Sequence, residues 1–181
     1  MKTIIIIFCY FFVSSQIIAQ VQNSNDTIYW SPCYKLKWED FKGKLDSASE
    51  FDAISSITID YNITQQTLGK ITSVKVFCFF NKIKSKIKSY DSTLLNHEQV
   101  HFNIAELFTR KLRKEFQNKF QNKNALSLNE AESIYSAIKK DYDEMNILYD
   151  NETDYSKNKV LQKKWTQKIS KELLSLRLYQ E

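Results

Sequence analysis

The chain holds two histidines, and they stand four residues apart in His97-Glu98-Gln99-Val100-His101. An α-helix turns once every 3.6 residues, so positions i and i+4 share a face. On a helix, two imidazoles at this spacing reach one metal ion, and a carboxylate beside them can take a proton from a metal-bound water. Residues 97–101 are therefore expected to be helical, with His97 and His101 as metal ligands and Glu98 as a base. The plain alternative is a surface helix with two stray histidines.

The surroundings agree with a helix. Asp91 or Ser92 can cap a helix running to about Asn118. Leu94, Leu95, Phe102, Ile104, Ala105, Leu107, Phe108, Leu112 and Phe116 recur at helical spacing over a broad arc, which predicts a central, buried element. Arg110, Lys111, Arg113, Lys114 and Lys119 near its far end read as a solvated basic face that complements the helix dipole. Ser127-Leu128-Asn129-Glu130 is a capping box opening a second helix to about Tyr149. A third helix is expected over Val160 to Tyr179, with Leu161, Trp165, Ile169, Leu173, Leu174 and Leu176 as its stripe. Between these two lies Asp150-Asn151-Glu152-Thr153-Asp154-Tyr155, read as an acidic connector.

The first half is β-rich. Thr27 to Trp30 is a short strand candidate. Phe51 to Ile63 places Ile57, Ile59, Tyr61 and Ile63 on one face and Thr58, Asp60 and Asn62 on the other. Ile71 to Phe80 is β-branched and aromatic, so the two segments are expected to pair across Gln65 to Gly69. Lys82, Lys84, Lys86 and Lys88 then alternate with Ile83 and Ile87. They read as a lysine-protected edge or loop, with a phosphate-binding strip as the alternative.

Lys2 followed by the apolar run Ile4 to Val13, then Ser14, Ser15, Gln16 and Ala19, reads as a cleavable signal peptide over residues 1–19. The run is short for a membrane span, and Ile7-Phe8 before Cys9 does not suit a lipoprotein site. Residues 20–181 are expected as one domain, secreted or periplasmic, with no stable membrane span. The whole chain carries a net charge of +5, and losing Lys2 lowers it by one. So mild a charge does not call for nucleic acid. Export leaves Cys33 and Cys78, for which a disulfide is the expectation and two free thiols the alternative.

Catalytic zinc commonly takes three protein ligands and keeps one position open. With no third histidine, the remaining ligand is expected from the acidic connector. Asp150, Glu152 and Asp154 stand there, with a cysteine, Tyr155 or no third ligand as the other options, and Asp150 is put ahead of Glu152 and Tyr155 only by the resemblance that its stretch carries. Glu106 points away from the histidine face and reads as a surface residue or an outer partner.

Three segments carry a resemblance. Leu36-Lys37-Trp38-Glu39-Asp40-Phe41-Lys42-Gly43 resembles a W-x-D-F-x-G entry, and Leu95 to Ile104 an H-E-Q-x-H-F helix. Tyr149-Asp150-Asn151-Glu152-Thr153, with Gln162 and Trp165 after it, resembles a Y-D-x-x-T stretch followed by Q-x-x-W. In this order they are similar to a family of secreted bacterial zinc-dependent proteases, the zincin-like domain of unknown function 922. The resemblance implies an α+β fold with a small antiparallel sheet packed on three helices. It also implies that Ile71 to Phe80 borders the cleft as a peptide-binding edge. The activity implied is hydrolysis of a peptide or protein substrate with Zn2+, Glu98 acting as general base and Tyr155 as a possible oxyanion donor. Where the family continues to a His-Gly pair, this chain has Tyr155 and Ser156. That departure supports the competing reading of a non-catalytic secreted binding domain on a degenerate scaffold.

Overall fold

A computed structural model describes residues 26–65 and 69–181 of the protein. The expected leader, with Cys9 and Ala19, lies outside the described residues. In chain order the elements are β1 (Thr27–Tyr29), a 3-10 turn (Trp38–Asp40), β2 (Gly43–Lys44), β3 (Ala53–Ile54), β4 (Ile57–Gln65), β5 (Ile71–Asn81), β6 (Lys86–Ile87), α1 (Ser92–Asn122), α2 (Leu128–Thr153), α3 (Lys159–Ser175) and a final 3-10 turn (Arg177–Tyr179). The architecture is α+β, as expected: three helices pack against two small sheets.

The alternation from Ile57 onward is used as read. Ile59 is buried and Ile57, Tyr61 and Ile63 are half-buried, while Thr58, Asp60 and Asn62 face water. β4 pairs antiparallel with β5 from Ile57↔Phe80 to Gln65↔Ile71, with an irregularity at Thr64/Gln65. Gly69 in the connection has φ 72°, a conformation that glycine adopts without a Cβ penalty. The apolar run from residue 51 does not continue as one strand. It breaks at Ser55-Ser56, and β3 joins a second sheet of order β2-β6-β3. The Ser56 amide donates to Ser85 Oγ at 2.9 Å.

β5 is the middle strand of the order β1-β5-β4, which corrects its expected role as a peptide-binding edge. β4 lies along one side of it. On the other side β1 covers Phe79 to Asn81, the Cys78 carbonyl accepts from the Trp30 amide, and the Val76 carbonyl accepts from Arg113 at 2.8 and 3.0 Å.

The Trp38 to Gly43 corner has a structural account. Asp40 is buried and accepts from Tyr34 Oη at 2.7 Å and the Lys37 amide at 3.0 Å, and it pairs with Lys82 at 3.1 Å. Lys82 thus belongs to this corner and not to a lysine strip. Ile83, expected on the inward side, is 54% exposed, whereas Ile87 is buried. A Cβ on Gly43 would stand 2.9 Å from the Ser85 carbonyl, so glycine is required for the backbone contact made there.

α1 is the central element. Asp91 caps it, accepting from the Thr93 and Leu94 amides. Ile104, Ala105, Leu107 and Leu112 are fully buried between the sheet and the other two helices. Two expectations for its far half are overturned. Arg110 is 2% exposed, and Glu106 is 3% exposed, so neither belongs to a solvated face. Glu106 Oε1 accepts from Arg110 Nε at 2.8 Å and from Arg113 at 3.4 Å. Arg110 also donates to the Leu173 carbonyl and to Gln180 Oε1, both at 2.7 Å, and its guanidinium lies over Trp30. The i, i+4 spacing of Glu106 and Arg110 permits this pair on one helix face. Its burial comes from α3 and the following turn folding over it.

The expected disulfide is absent. Cys33 is exposed in a loop, while Cys78 faces inward from β5 with its sulfur 3.6 Å from Glu106 Oε2. Burial pushes the Cys78 thiol well above its ordinary pKa, so it is protonated and unreactive. A thiol reagent should therefore label Cys33 in the native protein and Cys78 only after denaturation, as peptide mapping would show; equal labelling of both in native protein would contradict this burial. Arg110→Ala should cost on the order of 3 kcal/mol in chemical denaturation, because it leaves Glu106 buried with a weaker partner. A loss below about 0.5 kcal/mol, the usual scale for surface sites, would show that the network contributes little.

Candidate metal centre

The site is assembled from one face of each of two helices. α1 presents His97 and His101 one turn apart. α2 presents Asn146 and Asp150 at the same i, i+4 spacing. The stretch from Asp150 to Thr153 is not a connector, as the sequence reading had it. It is the last turn of α2, since nothing in it breaks a helix. Asp150 is thereby held on a rigid element facing the histidines.

Three atoms converge. His97 Nε2 lies 3.0 Å from Asp150 Oδ1, His101 Nε2 lies 2.9 Å from the same oxygen, and the two Nε2 atoms are 3.1 Å apart. Donors bound to one tetrahedral zinc at about 2.0–2.1 Å stand about 3.3 Å from one another. The triangle is slightly tighter than that and of the right shape. These three residues could hold a metal ion. Access is from the Asp150 side, whose side chain is 27% exposed against 4% for His97.

The outward nitrogens each meet a side-chain amide. His97 Nδ1 is 3.1 Å from Gln162 Oε1, on α3, and Tyr149 Oη donates to that same oxygen at 2.8 Å. His101 Nδ1 is 2.7 Å from Asn146 Oδ1, and Asn146 Nδ2 donates to the Tyr142 carbonyl at 2.8 Å. A ring whose Nδ1 donates outward aims its Nε2 lone pair inward at the carboxylate oxygen. With both rings in that state, three acceptors would stand together and repel one another unless a cation, a proton or a metal ion, lay among them. The ionisation tendencies follow. Burial opposes charge on both groups. The hydrogen bonds and charges of the cluster outweigh it, holding Asp150 well below the usual carboxylate range and raising His101.

The family-like Y-D-x-x-T stretch now has residue-level roles. Tyr149, fully buried, stacks on the His97 ring with centroids 4.5 Å apart at 18°. Asp150 supplies the carboxylate. Thr153 Oγ1 donates back to the Tyr149 carbonyl at 2.6 Å. Gln162 and Trp165 work in the same way: Gln162 meets His97, and Trp165 Nε1 donates to Glu152 Oε2 at 2.7 Å. Glu152 is therefore turned toward α3 and away from the cluster. Tyr155 stands after the helix end with its ring against Phe51, centroids 5.8 Å apart. Glu106 lies in the arginine network. Of the expected candidates, the structure brings together His97, His101 and Asp150, and sets Glu152, Tyr155 and Glu106 apart from them.

Glu98 is buried. Gln99, the next residue, anchors the motif helix: its Oε1 accepts from the Leu36 amide at 2.8 Å and its Nε2 donates to Asn103 at 3.0 Å. Asn146 is the residue that the sequence reading missed. The readable signal was its position four residues before Asp150, matching the histidine spacing on the facing helix. Two hollows, of about 290 and 420 Å³, lie elsewhere, lined by Trp30, Phe77 and Glu106 and by Val74, Phe116 and Phe120.

If the triangle is the ligand set, Asp150→Ala should weaken zinc binding well beyond the roughly 10–100-fold cost of losing an outer partner, while Glu152→Ala should leave it near wild type. Competition against a chromophoric chelator measures both, and equal effects would remove Asp150 from the ligand set.

Residues 80–157 are similar to a family described as "Bacterial protein of unknown function (DUF922)". The matched stretch is less than half of the chain and contains His97, Glu98, His101, Asn146 and Asp150. The Trp38 to Gly43 corner and the Gln162–Trp165 pair lie outside it. No curated protein and no solved structure matches the chain.

Proposed function

We propose that this protein is a zinc-dependent metallopeptidase acting outside the cytoplasm. The observation that carries the proposal is the convergence of His97 Nε2, His101 Nε2 and Asp150 Oδ1 within about 3 Å of one another, with the buried Glu98 next to His97 on the same helix. Zinc in such a set supplies Lewis acidity that polarises a peptide carbonyl and acidifies water. The two imidazoles and one carboxylate leave a net single positive charge on the centre, which suits stabilising a developing oxyanion. Glu98 takes the proton from the attacking water as its oxygen adds to the carbonyl carbon. It then delivers that proton to the amine nitrogen as the C–N bond breaks.

The competing reading, a non-catalytic binding domain, drew its support from Tyr155-Ser156 replacing His-Gly. Asp150 weakens that support, because it fills a third ligand position without a histidine at residue 155. Export is in keeping with the described residues, among which no helix is long and apolar enough to cross a membrane.

Glu98→Gln should retain zinc and lose hydrolysis of a denatured protein substrate by about 10²–10⁴-fold. His97→Ala should lose metal and activity together. A Glu98→Gln protein that hydrolyses as fast as wild type with zinc bound would exclude this mechanism, and a wild type that binds no metal would favour the binding-domain reading.

A further inference from the structure

The amide of Asn146 has only one satisfactory orientation. Its Nδ2 donates to the Tyr142 carbonyl at 2.8 Å. Turned over, it would set Oδ1 against that carbonyl oxygen, two acceptors with no proton between them. Oδ1 must therefore face His101 Nδ1, 2.7 Å away. An amide oxygen only accepts, so Nδ1 carries the proton. A neutral imidazole has one N–H, which leaves the Nε2 lone pair directed at Asp150 Oδ1, 2.9 Å off.

Left to Asp150 alone, His101 would take the other tautomer, with Nε2–H donating to the carboxylate in an ordinary His–Asp pair. A ring in that state cannot ligate through Nε2. We infer that Asn146 is a positioning residue that fixes the tautomer of His101 and so makes the cluster a metal site. Gln162 stands in the corresponding place toward His97, but both ends of its amide meet the Tyr149 hydroxyl, which donates and accepts, so its orientation is not forced. Asn146 is the one of the two whose direction the surrounding backbone dictates. Tyr142, Asn146 and Asp150 follow at i, i+4 and i+8 along α2, so one helix face carries the carbonyl that orients the amide, the amide that orients the imidazole, and the carboxylate that shares the imidazole's target.

The consequence for metal binding rests on the metallopeptidase reading; the tautomer does not. The test uses wild type, Asn146→Ala and Asn146→Asp. The aspartate keeps the acceptor toward Nδ1, and circular dichroism checks that each variant is folded. In metal-free protein, at a pH where the ring is neutral, ¹⁵N spectra of the imidazoles should show His101 protonated at Nδ1 in wild type and at Nε2 in Asn146→Ala. Zinc affinity, from competition with a chromophoric chelator, should fall about 10–100-fold in Asn146→Ala and return most of the way in Asn146→Asp. A cobalt-substituted wild type should give a four-coordinate visible spectrum that Asn146→Ala alters. Wild type protonated at Nε2 would overturn the inference, as would an Asn146→Ala protein matching wild type in tautomer and affinity. An Asn146→Asp protein as weak as Asn146→Ala would reduce the residue to packing. If wild type takes up no zinc while its ring is protonated at Nδ1, the metallopeptidase reading fails and the tautomer assignment stands.

Discussion

Two imidazole nitrogens and a carboxylate oxygen pressed to within about 3 Å of one another are the constraint around which this molecule is built. Burial strengthens the electrostatics among them, because little water is there to screen it. Neighbours enclose the cluster on every other side. The amides on α2 and α3 occupy the outward nitrogens, Tyr149 closes the apolar side of His97, and Thr153 ties the end of α2 to the carbonyl of Tyr149. The arrangement is relieved by positive charge at one point, and a divalent ion supplies it without disturbing either imidazole.

The site depends on the relative placement of three helices, and other parts of the structure hold that placement. α1 carries the histidines near its start and the buried Glu106–Arg110 pair further along. Arg110 reaches the Leu173 carbonyl at the end of α3 and Gln180 beyond it, so α3 is tied down at its far end. Its near end is held by Trp165 to Glu152 and by Gln162 to Tyr149. Such a buried ion pair is costly to desolvate, and its value here lies in fixing one arrangement of the elements more than in net stability.

The turn from α2 to α3 is tight. Asp154, Tyr155 and Ser156 all adopt positive φ, at 46°, 48° and 81°, which costs on the order of 1 kcal/mol or more per non-glycine residue. Backbone bonds from Tyr155 to the Asp150 carbonyl and from Asn158 to the Thr153 carbonyl offset it. Ser156 stands where the resembled family has glycine, and its φ of 81° is the conformation for which glycine is best suited. The side chain at residue 155 stands against Phe51. The difference between Tyr155 and a family histidine thus falls just beyond the helix that carries Asp150, and leaves the triangle of donors intact.

Much of this was legible locally. The two-residue period gave β4, the capping residues Asp91 and Ser127 gave the starts of α1 and α2, and the spacing of His97 and His101 gave the shared face. Those features depend on neighbours within a turn or two along the chain. Other features needed the folded molecule. Arg110 and Glu106 read as surface residues because their partners Leu173, Gln180 and Cys78 stand far along the chain. Asp150 read as part of a loop because a helix end is set by where packing stops, and the i, i+4 spacing of Asn146 and Asp150 pointed to no partner until α2 lay against α1. Cys33 and Cys78 could be counted from sequence but not placed, because only the sheet decides that one faces the core and the other water. Sequence by itself determined which residue types could meet a metal and that two of them would share a helix face, since periodicity is a local property. Which carboxylate completes the triangle, and which side-chain amide faces each imidazole, only tertiary structure decided, because both depend on contacts between helices that share no sequence neighbourhood.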